Sequence, residues 1–177
     1  PQLKAMAGQS NATHYASQRE RLVVLSFINH PGLLHEFWDD LAGFELSSRE
    51  LDSLRSEILD SASSEEGLEP ARLKGHLIDK GFGTVLEALE LQARRLNEWF
   101  LGPAAAADDA RTGLRQMFAL HRKTVTLDRE LKAAEAAFGE DPSEDNFNAL
   151  VSLRDQLSSA TGSEATIAGF GFASNRG

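Results

Sequence analysis

From Ala104 to Phe138 no proline interrupts the chain, and within that stretch Met117, Leu120, Thr124, Leu127, Leu131, Ala134 and Phe138 recur at spacings of 3, 4, 3, 4, 3 and 4. Spacing of this kind places all seven on one seam of a helix, the a and d positions of a heptad. An uninterrupted helix of ~35 residues is ~50 Å long at ~1.5 Å per residue, longer than a small bundle can cover. Gly139 is expected to end it. The segment "DPSE" at 141–144 then starts another helix, with Asp141 as cap, Pro142 at the first position and Glu144 closing a capping box. The second helix carries Phe147, Leu150, Leu153 and Leu157. Two helices joined by so short a turn lie antiparallel. Because an isolated pair cannot bury its whole apolar surface, part of the seam is left for something else to cover.

The first half reads as shorter helices. Residues 1–13 have no hydrophobic period and serve as a linker or frayed start, with structure beginning near Tyr15. A chain that opens on Pro1 also reads as a piece of something longer. The run "RLVVLSFI" (21–28) is β-branched enough for a buried strand. The polar "SQRE" before it and Asn29-His30-Pro31 after it favour a helix that stops ahead of proline, and Pro31 opens the next one. Ser47 and Glu50 have capping-box spacing, with Leu46 and Leu51 as staple, before the stripe Leu51, Leu54, Ile58 and Leu59. After the polar break around "SASSEEG", Pro70 starts a helix bearing Leu73, Leu77 and Ile78, which Gly81 stops. Thr84 and Glu87 suggest a second capping box, followed by Val85, Leu89, Leu96, Trp99 and Phe100. The expected architecture is all-α: a bundle of about five helices over 14–101, a long connecting helix and antiparallel hairpin over 102–161, and a glycine-rich tail over 162–177.

Charge narrows the partners. The net charge of −9 opposes a chain whose main task is gripping a phosphate backbone, since that affinity comes from Lys and Arg displacing counterions. Direct nucleic-acid binding is therefore not expected, and a protein partner is. Arg111, Arg115, Arg122, Lys123, Arg129 and Lys132 nevertheless form a local basic run, with Glu140, Asp141, Glu144 and Asp145 just beyond it. The sequence has no cysteine, which removes thiolate nucleophiles and zinc ribbons together. No apolar run approaches the ~20 residues of a membrane span, so the expected setting is soluble and cytoplasmic, without a membrane partner.

No constellation for catalysis or for a cofactor survives inspection. His30 and His35 in "FINHPGLLHEFWDD" are five apart, a spacing that does not bring two imidazoles to one helical face, and Pro31 separates them. That stretch reads as a boundary between helices. "GFGTVLE" (81–87) resembles a phosphate loop only superficially, for it has no preceding strand and no GK[ST]. His121 reads as a surface or seam residue. No catalytic, cofactor-binding or metal residue is assigned.

The order of these elements resembles a family. A first helix "QRERLVVLSFINHPGLL" of the type R-E-x-x-L-L-x-x-L-x-x-H-P-x-L, a small bundle, a region "TLDRELKAAEAAF" and a final "NFNALVSLRDQL" look like the C-terminal domain of bacterial replicative DNA primases of the DnaG type. The resemblance spans roughly residues 14–160. It implies a helical bundle followed by a hairpin, without chemistry of its own, that docks on the N-terminal domain of the replicative helicase in the bacterial replisome. A single-stranded-DNA-binding protein is a further candidate partner. On this reading Phe138, Phe147, Leu150, Leu153 and Leu157 form the contact, rimmed by Arg129, Lys132 and Arg154. The competing expectation is a self-associating helical adaptor, unrelated to replication, whose seam pairs with a second copy.

Overall fold

The computed structural model describes residues 18–62, 69–96 and 99–162. The expected linker at 1–13, the first turn near Tyr15, most of the polar break before Leu68 and the tail beyond Gly162 lie outside those residues. Among the described residues every regular element is helical, in agreement with the all-α expectation. They form two compact units, and the division falls between Met117 and Phe118, inside the long helix. Gly102-Pro103 is a turn within the first unit.

The first unit is built around α1, residues 18–29. Leu22, Val23, Val24, Leu25, Phe27 and Ile28 are all buried, so this helix is covered on every side, and its β-branched content reflects a core position, not a strand. Pro31–Leu33 form a single 3-10 turn with proline in its first turn, and α2 (Leu34–Ala42) follows directly, bent at Phe37. Phe37 meets Phe27 edge to face at 6.3 Å between centroids, a favourable aromatic geometry.

α3 (Arg49–Ala62) buries Leu51, Leu54 and Ile58 as the stripe predicts, but Ser47 does not cap it. The Ser48 hydroxyl lies 3.4 Å from the Leu51 amide, and the Ser47 amide and hydroxyl instead donate to the buried Glu20 carboxylate at 3.0 and 2.7 Å. Arg55 donates to the Phe44 carbonyl at 2.6 Å, satisfying an acceptor just beyond the end of α2.

α4 (Pro70–Leu77) buries Leu73 and Leu77. Ile78, assigned to the same stripe, is 56% exposed. Gly81 ends that helical run as expected: with φ of 94° it is non-helical and makes a kink within the π turn Ile78–Phe82, beyond which α5 (Gly83–Arg95) starts as a separate helix. No side chain caps α5, so Thr84 and Glu87 make no capping box. α5 buries Leu86 and Leu89 and stops at Arg95, short of Leu96, Trp99 and Phe100; Trp99–Leu101 form a separate 3-10 turn.

Polar clasps join these pieces. Asn29 Nδ2 donates to the Leu101 carbonyl at 2.6 Å, and His30 Nε2–H donates to the Gly102 carbonyl at 3.1 Å. Histidine at the helix boundary is thus a brace for the turn that leads into α6 (Ala107–Glu140). Glu36 of α2 receives Arg111 at 2.7 Å and Arg115, which hold its carboxyl below the usual carboxylate range. Between α3 and the π turn, His76 and Lys80 do the same for Glu57. In the first turns of α6, Gly113 lies under the Phe100 ring so closely that a β-carbon there would collide with it.

Two outcomes test this account. Gly113→Ala gains ~1 kcal/mol of helix propensity but overpacks the ring contact at a cost of ~1–3 kcal/mol, so it should destabilise the chain in chemical denaturation. Adding Phe100→Ala to that variant should recover the propensity gain, making Gly113→Ala stabilising in that background. Burial lowers the His30 pKa from 6.5 against the weaker opposing pull of the Gly102 carbonyl, so below about pH 6.5 the unfolded chain binds the proton more readily than the folded one and stability falls. The stability difference between the wild type and His30→Gln should therefore be widest above pH 7 and narrow as the pH drops through that window; a constant difference would show that the imidazole is not held neutral.

Candidate functional site

The second unit consists of α6 beyond Met117 and α7 (Glu144–Gly162). Along α6 the seam keeps its predicted phase. Leu127 and Leu131 are buried, and Leu120, Thr124, Ala134 and Phe138 are half-buried. α6 runs one residue past Gly139. Asp141-Pro142-Ser143 form the connection, with the Ser143 carbonyl accepting the Phe147 amide at 3.0 Å, so α7 begins two residues later than the expected Pro142. Phe138 lies against Phe147, with centroids 5.9 Å apart, and Glu135 against Arg154 at 3.5 Å. Positions that precede the turn more distantly thus meet positions that follow it more distantly, which is the antiparallel order.

On α7 the structure revises the expected stripe. Leu150 is 8% exposed, and Leu153 and Leu157 are half-buried, but Phe147 is 51% exposed. Stepping back three residues from Leu150 turns the helix about 60° off the seam, whereas four residues turn it about 40° the other way. The four-residue position is Asn146, which is half-buried and whose Nδ2 donates to the Asp141 carbonyl at 2.8 Å. Closing the turn thus takes the seam position, and Phe147 is set beside it. Val151, one turn along from Phe147, is 40% exposed. The two form an outward apolar ridge; the expected stripe included Phe147 and missed Val151, although their i, i+4 spacing was visible.

The basic rim is distributed differently from the expectation. Lys132 pairs with Asp128 at 2.8 Å, and that bond holds its ammonium pKa above the usual value. Arg154 pairs with Glu135, and Arg129 is exposed on α6. On the other flank, Lys123 of α6 and Val151, Ser152, Asp155 and Ser159 of α7 line a shallow groove. At the turn, Glu140, Asp141, Glu144 and Asp145 are all exposed and have no Lys or Arg in ion-pair contact among the described residues. The unit thus carries an exposed Phe147–Val151 ridge and, around the turn, exposed carboxylates without an ion-pair partner among the described residues. Among the described residues no three His, Asp or Glu side chains come together as a metal site, and no helix is long and apolar enough to cross a membrane.

The two kinds of apolar position separate in a stability measurement. Leu150→Ala should cost ~2 kcal/mol or more, as large-to-small changes at buried sites do, and should raise hydrogen-exchange rates over 118–160. Phe147→Ala, at a half-exposed position, should cost well under ~1 kcal/mol; equal losses would mean that Phe147 belongs to the seam. Comparison with protein-family models, with curated proteins and with solved structures finds no match for this chain.

Proposed function

We propose that this chain is a helicase-docking domain of a bacterial replicative DNA primase of the DnaG type. It performs no chemistry itself and binds the N-terminal domain of the replicative helicase, so that primer synthesis is coupled to unwinding. The observation that carries this reading is the order of its segments. "QRERLVVLSFINHPGLL" covers the core helix, its His30-Pro31 boundary and the start of α2, "TLDRELKAAEAAF" lies on α6, and "NFNALVSLRDQL" lies on α7.

An apolar ridge left outward on a hairpin gives such a domain a surface to bind with, because binding energy concentrates in aromatic and aliphatic side chains that a partner can desolvate. Leu150, Leu153 and Leu157 support that ridge from the seam, and Phe138 and Phe147 end it at the turn. Arg129, Lys132 and Arg154 lie at the margin, where paired and solvated charges bear on approach and orientation more than on affinity.

The full chain should co-sediment with the isolated helicase N-terminal domain. Deleting residues 141–177 should abolish that complex while far-UV circular dichroism still reports a helical chain. Unchanged affinity after the deletion would move the contact from the hairpin to the bundle. A full chain that ignores the helicase domain and sediments instead as a dilution-stable dimer would favour the self-associating adaptor.

A further inference from the structure

The turn end of the hairpin combines two features that folding alone does not call for. Phe147 is half-exposed, and its ring lies against Phe138 with centroids 5.9 Å apart. Val151 extends the same ridge by one turn. Glu140, Asp141, Glu144 and Asp145 are exposed around the turn where this ridge begins; at about 100° per residue Glu144 lies on the ridge side of α7 and Asp145 on the opposite side. Further from the turn Lys132 is paired with Asp128 and Arg154 with Glu135, and Arg122, Lys123 and Arg129 lie on α6 about three turns or more from Glu140. The turn is therefore the acidic pole of the unit. Glu144 and Asp145 lie in the first turn of α7, where negative charge suits the helix dipole, but Glu140 sits at the C-terminal end of α6, where it opposes the dipole. Its position is not explained by helix stability.

We propose that this end is a docking surface for a protein segment that is both basic and apolar: Phe147 and Val151 pack between its aliphatic side chains, Glu140 and Glu144 receive its Lys or Arg groups, and Asp145 adds negative charge to the same end of the hairpin. Charge selects this occupant over others. A phosphate backbone or an anionic lipid surface would be repelled by the same carboxylates. A second copy would bring an acidic turn against an acidic turn, which disfavours pairing through this end. The proposal rests on the helicase reading only for the identity of the partner, since the chemistry of the surface stands on these residues alone.

The test measures binding of the full chain to two probes, the helicase N-terminal domain and an amphipathic Leu/Lys peptide, with a Leu/Glu peptide as control, at low and high salt. Phe147→Ala should weaken binding about ten-fold or more. The triple variant Glu140→Gln, Glu144→Gln, Asp145→Asn should weaken it about ten-fold at low salt, with the loss shrinking at high salt as screening removes the charge contribution. Glu87→Gln, an exposed change on α5 of the first unit, should leave affinity within about two-fold. Asp141 is left intact because its carbonyl holds Asn146, and circular dichroism of each variant confirms that α7 is retained. If the helicase domain binds but both turn variants bind as the wild type does, the docking proposal is overturned and the helicase reading stands. If only the Leu/Lys peptide binds, and does so through Phe147 and the three acids, the docking chemistry stands and the helicase reading falls. Binding of neither probe, or equal binding of the Leu/Glu peptide, overturns the docking proposal.

Discussion

Burial of α1 on every side is the constraint that the rest of the first unit must satisfy. A helix covered all round cannot leave its polar groups to water, and each one left unpaired would cost ~1–3 kcal/mol. The unit meets most of that demand, much of it from distant parts of the chain, while Asn29 Oδ1 stays buried without a hydrogen-bond partner. Ser47 answers Glu20, the Leu101 and Gly102 carbonyls answer Asn29 and His30, and the Ser26 hydroxyl returns to the Leu22 carbonyl of its own helix. Through these bonds one core helix sets both the approach to α3 and the turn that launches α6.

The hairpin works under the opposite condition. Its two helices share a seam, and burying one side of each helix leaves the other sides in water. The inner positions accordingly carry leucines spaced at threes and fours, and among the outer charges Lys132 pairs with Asp128 within α6 and Arg154 with Glu135 across the seam. Where that arrangement lapses, at Phe147, Val151 and the carboxylates around the turn, the surface keeps both apolar area and charge in reserve. Such a patch costs little in folding stability and is available to a partner.

Much of this was legible in the residues. The heptad phase of α6 and the stripes of α3 and α7 follow from side-chain period, and the starts at Pro31 and Pro70 follow from ring geometry. The misreadings share a cause. Ser47 and Ser48 are equally good caps in isolation, and the choice between them depends on Glu20, 27 residues away. Gly81 reads as a stop and is one, its positive φ breaking the helix, but α5 restarts as early as Gly83, which leaves Thr84 inside a helix instead of at its cap. Phe147 reads as a seam residue because nothing local says that Asn146 is needed to close the turn.

What the sequence by itself determined is therefore the helical class, the approximate extents of the helices and which stripe of each turns inward, because these depend on residues a few positions apart. What only the tertiary structure decided is which polar groups are paired: that Glu20, Asn29 and His30 are braces, that Lys132 and Arg154 are in ion pairs, and that the acids at the hairpin turn have no Lys or Arg in ion-pair contact among the described residues. Hydrogen bonds and ion pairs act over about 3 Å between groups that can be many residues apart along the chain, so their pattern exists only once the helices have been brought together.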